Sequence, residues 1–151
     1  MALYTVDTVG ATALSAATAK TLVAAINSSA GIIRLVEWGV FFDGISASAV
    51  PVLIEVCSLS TTAAGTATSH TIVQSKGPTR TAQFTAKRNY TVEPTTITVI
   101  KPYLCHAQAG MVMQAPLGRE TDQWTGSYGL ILRVTAPATV NARAYMEIEE
   151  G

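Results

Sequence analysis

Histidine, cysteine and charge are all scarce in this chain. Of its 151 residues, two are histidine, two are cysteine, and charged residues make up 13%, against about 25% in a typical soluble domain. His70 and His106 alone offer little for imidazole acid–base chemistry or for zinc, which needs clustered His, Cys or carboxylate ligands. Cys105 and His106 are neighbours in an extended stretch, so their side chains point to opposite faces and do not share a metal. Cys57 and Cys105 read as two small buried thiols. The chain has no G-x-S-x-G, no P-loop and no Rossmann glycine set. Glu93, Glu120 and Asp122 fall in loop-like stretches, where carboxylates are usually solvated rather than paired across a cleft as in a glycosidase. These absences argue against an enzyme and against a bound cofactor.

Long apolar runs are missing too. No stretch of eighteen apolar residues occurs, so no membrane-spanning helix is expected. The opening MALYTVDTVG lacks a basic region followed by an apolar one, so synthesis in a cytoplasm is expected. Ten basic and ten acidic residues cancel, and no block of like charge appears. That argues against a nucleic-acid partner and against an anionic membrane. With 48% hydrophobic residues, so little charge suits a protein whose flanks are covered by other subunits.

What is present is β-strand pattern. Ile32 to Gly44, IIRLVEWGVFFDG, holds the densest cluster of bulky side chains and reads as a central strand closed by the turn pair Asp43-Gly44. Arg34 and Glu37 interrupt it with opposite strand parity, which predicts opposite sheet faces. Leu3 to Val9 reads as a weak edge strand, and Ala19 to Ile26 as extended despite its alanines. Val50 to Ser58 alternates cleanly, and Leu59 to Ser69 reads as a surface linker. His70 to Gln74 is short and extended. Thr79 to Thr91 reads as a long polar loop containing a short strand, anchored by Phe84 and Tyr90. Thr95 to His106 is extended, with Pro102 marking an edge or bulge. Met111 to Ala115 is another short strand, and Pro116 to Ser127 a polar loop with one aromatic, Trp124.

Leu130 to Thr135 and Val140 to Glu149 alternate most clearly, as half-buried antiparallel strands do. The expectation is one all-β domain over residues 1–151, an antiparallel β-sandwich or jelly roll of about eight strands. Trp124 reads either as a contact residue or as a cap on the sandwich end, and Arg119 with Glu120 as an intersubunit or a local ion pair.

Five segments carry a resemblance: VEWGVFFDG (36–44), PVLIEVC (51–57), YTVEPTT (90–96), PLGRE (116–120) and LRVTAPATVNARAYMEIEE (132–150). Together they resemble small structural proteins of tailed-phage virions, of the capsid decoration or cement type. The resemblance implies a jelly roll forming a homotrimer on the capsid surface, bound to the major capsid protein. It implies no cofactor, no nucleic acid and no membrane. Residues 1–18, rich in small side chains, would serve as an N-terminal arm. Leu3, Tyr4, Arg34, Glu37, Arg119, Glu120 and Trp124 are the candidate interface residues. Rival expectations are a tail or fibre-tip module binding host glycans through Trp124, Tyr128 and Tyr103, and a head-completion or tail-tube protein.

Overall fold

A computed structural model describes residues 1–28, 31–43, 50–60, 64–124, 126 and 128–151. Among them the regular structure is all strand. β1 (Ala2–Asp7), β2 (Thr12–Leu14), β3 (Ala19–Asn27) and β4 (Ile33–Phe42) are followed by β5 (Val52–Ser60), β6 (Thr66–His70) and β7 (Val73–Lys76). β8 (Phe84–Val92), β9 (Ile97–Cys105) and β10 (Met111–Gln114) come next. β11 (Thr121–Gln123), β12 (Tyr128–Thr135) and β13 (Val140–Glu150) complete the set. Gly44, expected to close the central strand, lies outside the described residues.

The strands form two antiparallel sheets, ordered β10-β4-β13-β1-β7 and β6-β8-β3-β12-β5-β9. Two strands of the first sheet are interrupted. β1 and β2 pair successive parts of β13, and β10 and β11 pair successive parts of β4. Counting each interrupted pair once, and setting β6 to β8 aside, leaves eight strands. The first then pairs the eighth, the second the seventh, the third the sixth and the fourth the fifth. That nesting is a jelly roll. The excess over the expected eight strands comes from those interruptions and from the insertion β6–β8, which widens both sheets on one side.

The main core lies between the sheets. Val6, Leu22, Ile54, Leu132, Met146 and Ile148 are fully buried there. Each such side chain contributes about 1.5–3 kcal/mol relative to exposure. An aromatic pair spans the two sheets on each side. Trp38 of β4 meets Tyr103 of β9 edge-on, with centroids 5.0 Å apart. Tyr4 of β1 meets Phe84 of β8 at 5.6 Å, also edge-on. Such pairs add about 0.5–1.5 kcal/mol each beyond area burial.

A second apolar cluster, Ala24, Cys57, Leu59, Tyr90 and Ile131, sits on the outer face of the second sheet. β8 explains it. Its pairing with β3 ends at Arg88, Asn89 takes a positive φ of 52°, and Tyr90 buries against this cluster. Glu93 then anchors the crossing segment, accepting the Thr21 N–H at 2.8 Å and pairing with Lys20 at 3.5 Å. Lys20 also donates to the Tyr90 carbonyl. Burial on both faces accounts for the alanines of β3: Ala24 is small enough to lie beneath a covering segment, and Ala25 faces the core.

Three expectations are corrected. Residues 2–7 are neither an edge strand nor a free arm: β1 lies between β13 and β7, with Ala2, Tyr4 and Val6 buried. Thr79 to Thr91 is not mainly loop, because β8 runs nine residues and Phe84 and Tyr90 anchor its two ends. Thr66 to Ser69, read as linker, belongs to β6.

Candidate functional site

β9 and β10 are the exposed edges of the two sheets on the side away from the insertion. From Thr95 to Gly118 the only formal charge is Lys101. Val99, Ile100 and Leu104 on β9, Val112 on β10 and Leu117 beyond it are all exposed, Leu104 by 61%. Scattered apolar residues on a surface are ordinary. Here, however, Val99, opposite the outward Cys57, and Val112, opposite the outward Gly39, flank the two sheet edges from their outer faces. A single charge in the whole interval makes this rim, the strip, a candidate interaction surface.

The backbone of β9 is poorly suited to adding another strand. Lys101 opposes Val56 and Val99 opposes Cys57, so Ile100 is left over as a bulge. Pro102 contributes no N–H, and Lys101 is exposed beside it. Bulge, proline and lysine are the devices by which natural edges resist strand addition. What remains is side-chain surface. Beneath it, Trp38, Tyr103, Lys101 and Met113 line a shallow hollow of about 70 Å³ between the sheets. A partner would dock by packing side chains rather than by extending a sheet.

The outer face of the first sheet gathers Arg34 and Glu37. Their opposite parity predicted opposite faces. Instead, β4 bulges at Val36, and Arg34 and Glu37 both face out, opposite Glu149 and Glu147 of β13. Arg34 pairs with Glu149 at 3.3 Å. Glu37 accepts the Tyr145 hydroxyl, and burial, then this carboxylate, pushes the Tyr145 phenol far up. The Tyr145 ring lies over Gly39, where an added Cβ would come within 2.3 Å of it, and stacks on Phe41 at 6.3 Å.

The remaining interface candidates scatter. Leu3 is half-buried on β1, next to Glu149 and Lys76. Tyr4 is not at a surface at all: its ring is buried between the sheets. Arg119 is exposed and Glu120 half-buried, and among the described residues no ion pair joins them. The Glu120 carboxyl is held low by backbone N–H groups of Glu120 and Gly118. Trp124 is 61% exposed, so it does not fold back as a cap. Tyr128 is exposed near it, whereas Tyr103 is engaged with Trp38.

Arg133 places Nε and a terminal nitrogen on one oxygen of Glu55, at 2.8 and 2.7 Å. Both cysteines are free and buried, and burial pushes the Cys57 thiol up to about 11. No group of three His, Cys, Asp or Glu side chains suited to a metal occurs among the described residues. The β9–β10 strip was missed by strand-by-strand reading. Its signal in the sequence is the long gap in charge rather than any motif. No family model, curated protein or solved structure matches this chain.

Proposed function

We propose that this chain is a structural protein of a tailed-phage virion, a decoration protein that binds between capsid subunits as a homotrimer. The observation that carries the reading is the apolar strip of β9 and β10 with its single charge, Lys101. A jelly roll whose core is closed by Trp38 and Tyr103 has no structural need to expose Val99, Ile100, Leu104 and Val112 along its two neighbouring sheet edges. Buried against a second copy or against the shell, they supply the apolar centre that stable interfaces require. Three copies held together then bind the capsid through three weak contacts at once, so effective concentration replaces strength of any single contact. Because β1 is locked into the first sheet, shell contacts come from the strip and loops rather than from an unfolded arm.

Electron microscopy of the phage particle carrying this chain tests the reading. Trimeric density on the outer shell is expected; density confined to neck or tail would overturn it. One observation favours a second reading, a glycan-binding module at a fibre tip: Trp124 and Tyr128 expose aromatic surface at one end of the sandwich. Glycan binding lost in Trp124→Ala would support that reading over decoration.

A further inference from the structure

On the outer face of the first sheet, where β1 ends beside β13, a hollow of about 180 Å³ is lined by Asp7, Thr8, Val9, Phe41, Arg143 and Tyr145. The register brings its side chains together. Asp7 stands opposite Tyr145 and Arg143 opposite Phe41, at outward positions of the adjacent strands β1, β13 and β4.

Two aromatic rings supply the apolar surface. Tyr145 leans over Gly39 and is tied by its hydroxyl to Glu37. Phe41, 42% exposed, lies nearly parallel to it, with 14° between the ring planes. Val9 adds an isopropyl group at the rim, and its backbone is an outlier. It takes φ 62°, the left-handed region, which strains a β-branched residue. The Asp7 carboxylate holds that turn, accepting the Val9 N–H at 2.8 Å. Glycine would adopt the same φ without strain. The valine gives the core nothing in return, since it is 63% exposed. Strain kept where the side chain does no packing points to a role in contact.

The polar groups of the hollow are a carboxylate and a guanidinium that do not pair. Among the described residues no ion pair joins Asp7 to Arg143. Asp7 is placed from two sides, by the Val9 N–H and by His70, whose Nε2 lies 3.8 Å from it. An anion would meet Asp7 and a cation Arg143, so the hollow favours a neutral ligand. Hydroxyl groups suit both residues, donating to the carboxylate and accepting from the guanidinium.

We propose that this hollow binds a single neutral hexose ring. Its C–H face lies on Phe41, Tyr145 and Val9, and two adjacent hydroxyls bridge Asp7 and Arg143. No residue of β9 or β10 lines the hollow, so the site does not rest on the decoration reading. It is also separate from Trp124, which follows a strand paired to the opposite end of β4.

Saturation-transfer NMR of the intact protein with the methyl glycosides of galactose, glucose and mannose tests it, against gluconate and phenylalanine as charged and zwitterionic comparisons. At least one glycoside binds with a dissociation constant at or below about 10 mM, more tightly than either comparison. Asp7→Asn, which keeps an oxygen for the Val9 N–H, and Phe41→Ala each weaken that binding about tenfold. Val9→Gly separates contact from folding: it relieves the strained φ and does not lower the melting temperature, yet it weakens the glycoside several-fold. Trp124→Ala leaves the affinity unchanged. Failure of all three glycosides to bind, equal or tighter binding of gluconate or phenylalanine, full affinity in any of the three hollow variants, or loss of binding in Trp124→Ala overturns the proposal.

Discussion

The two sides of the sandwich are closed the same way and finished differently. Each has an aromatic pair bridging the sheets, Trp38 with Tyr103 on one and Tyr4 with Phe84 on the other. Outside the first pair lies an apolar strip with one charge; outside the second lies a cleft with Arg80 and His70. Fold stability demands the aromatic pairs but neither finish. On the proposed reading the difference reflects what each side meets: a protein surface beyond β9 and β10, and open solvent beyond β6 and β7. The insertion β6–β8 creates this asymmetry, because a bare eight-stranded jelly roll would end both sides in simple edges.

Removing the bridging aromatics gives the largest effects. Trp38→Ala and Phe84→Ala are each expected to cost about 3–5 kcal/mol in urea unfolding, the usual range for a buried aromatic. The comparison sharpens in assembly: Trp38→Ala undermines the strip and lowers the oligomer population, whereas Phe84→Ala destabilises the fold and leaves association intact at matched stability. Equal loss of assembly in both would erase the proposed distinction between the sides.

Gly110 offers a smaller, local break. It joins β9 to β10 at φ +71°, and an added Cβ would sit 2.6 Å from the Val40 carbonyl oxygen. Gly110→Ala should cost about 1–3 kcal/mol through backbone strain, read as a lower denaturation midpoint. Gly118→Ala, between β10 and β11, probes positive φ without a clash, since nothing lies within 4 Å. Its cost should be less than half as large.

The smallest effect is a pH dependence confined to the cleft side. Burial lowers the His70 pKa from its ordinary 6.5, with Asp7 opposing and Arg88 reinforcing the shift. The unfolded chain then binds a proton below about pH 6.5 that the folded chain refuses, so stability is complete above that value and declines as pH falls. His70→Gln should show a flatter profile between pH 7.5 and 5.5 in thermal melts. A variant as steep as the wild type would mean His70 is not the titrating group.

Much of the fold was legible. β13 alternates strictly because one of its faces packs on the core, and β4 declared itself by bulk. Other features were not. Arg34 and Glu37 share a face because of the bulge at Val36, and a bulge is set by pairing with β13 rather than by local pattern. Ile131 sits at an outward position in an alternating strand yet is fully buried, because Tyr90 and its neighbours, distant in sequence, cover it. Glu93 looked like a solvated loop acid and is a latch on β3. Among the interface candidates, local reading could not separate Tyr4, a core residue, from Leu3 beside it, because a weakly alternating strand does not say which face is covered. The strip itself left only a negative trace, an interval without charge.

The most direct test is the mass of the protein in solution by analytical ultracentrifugation, for the wild type and for the double variant Leu104→Lys, Val112→Lys. Both positions are exposed in the single chain, so the variant folds with an unchanged denaturation midpoint. A trimeric wild type and a monomeric variant are the predicted result. A monomeric wild type, or a variant that still assembles, would contradict the claim that the β9–β10 side is the interface.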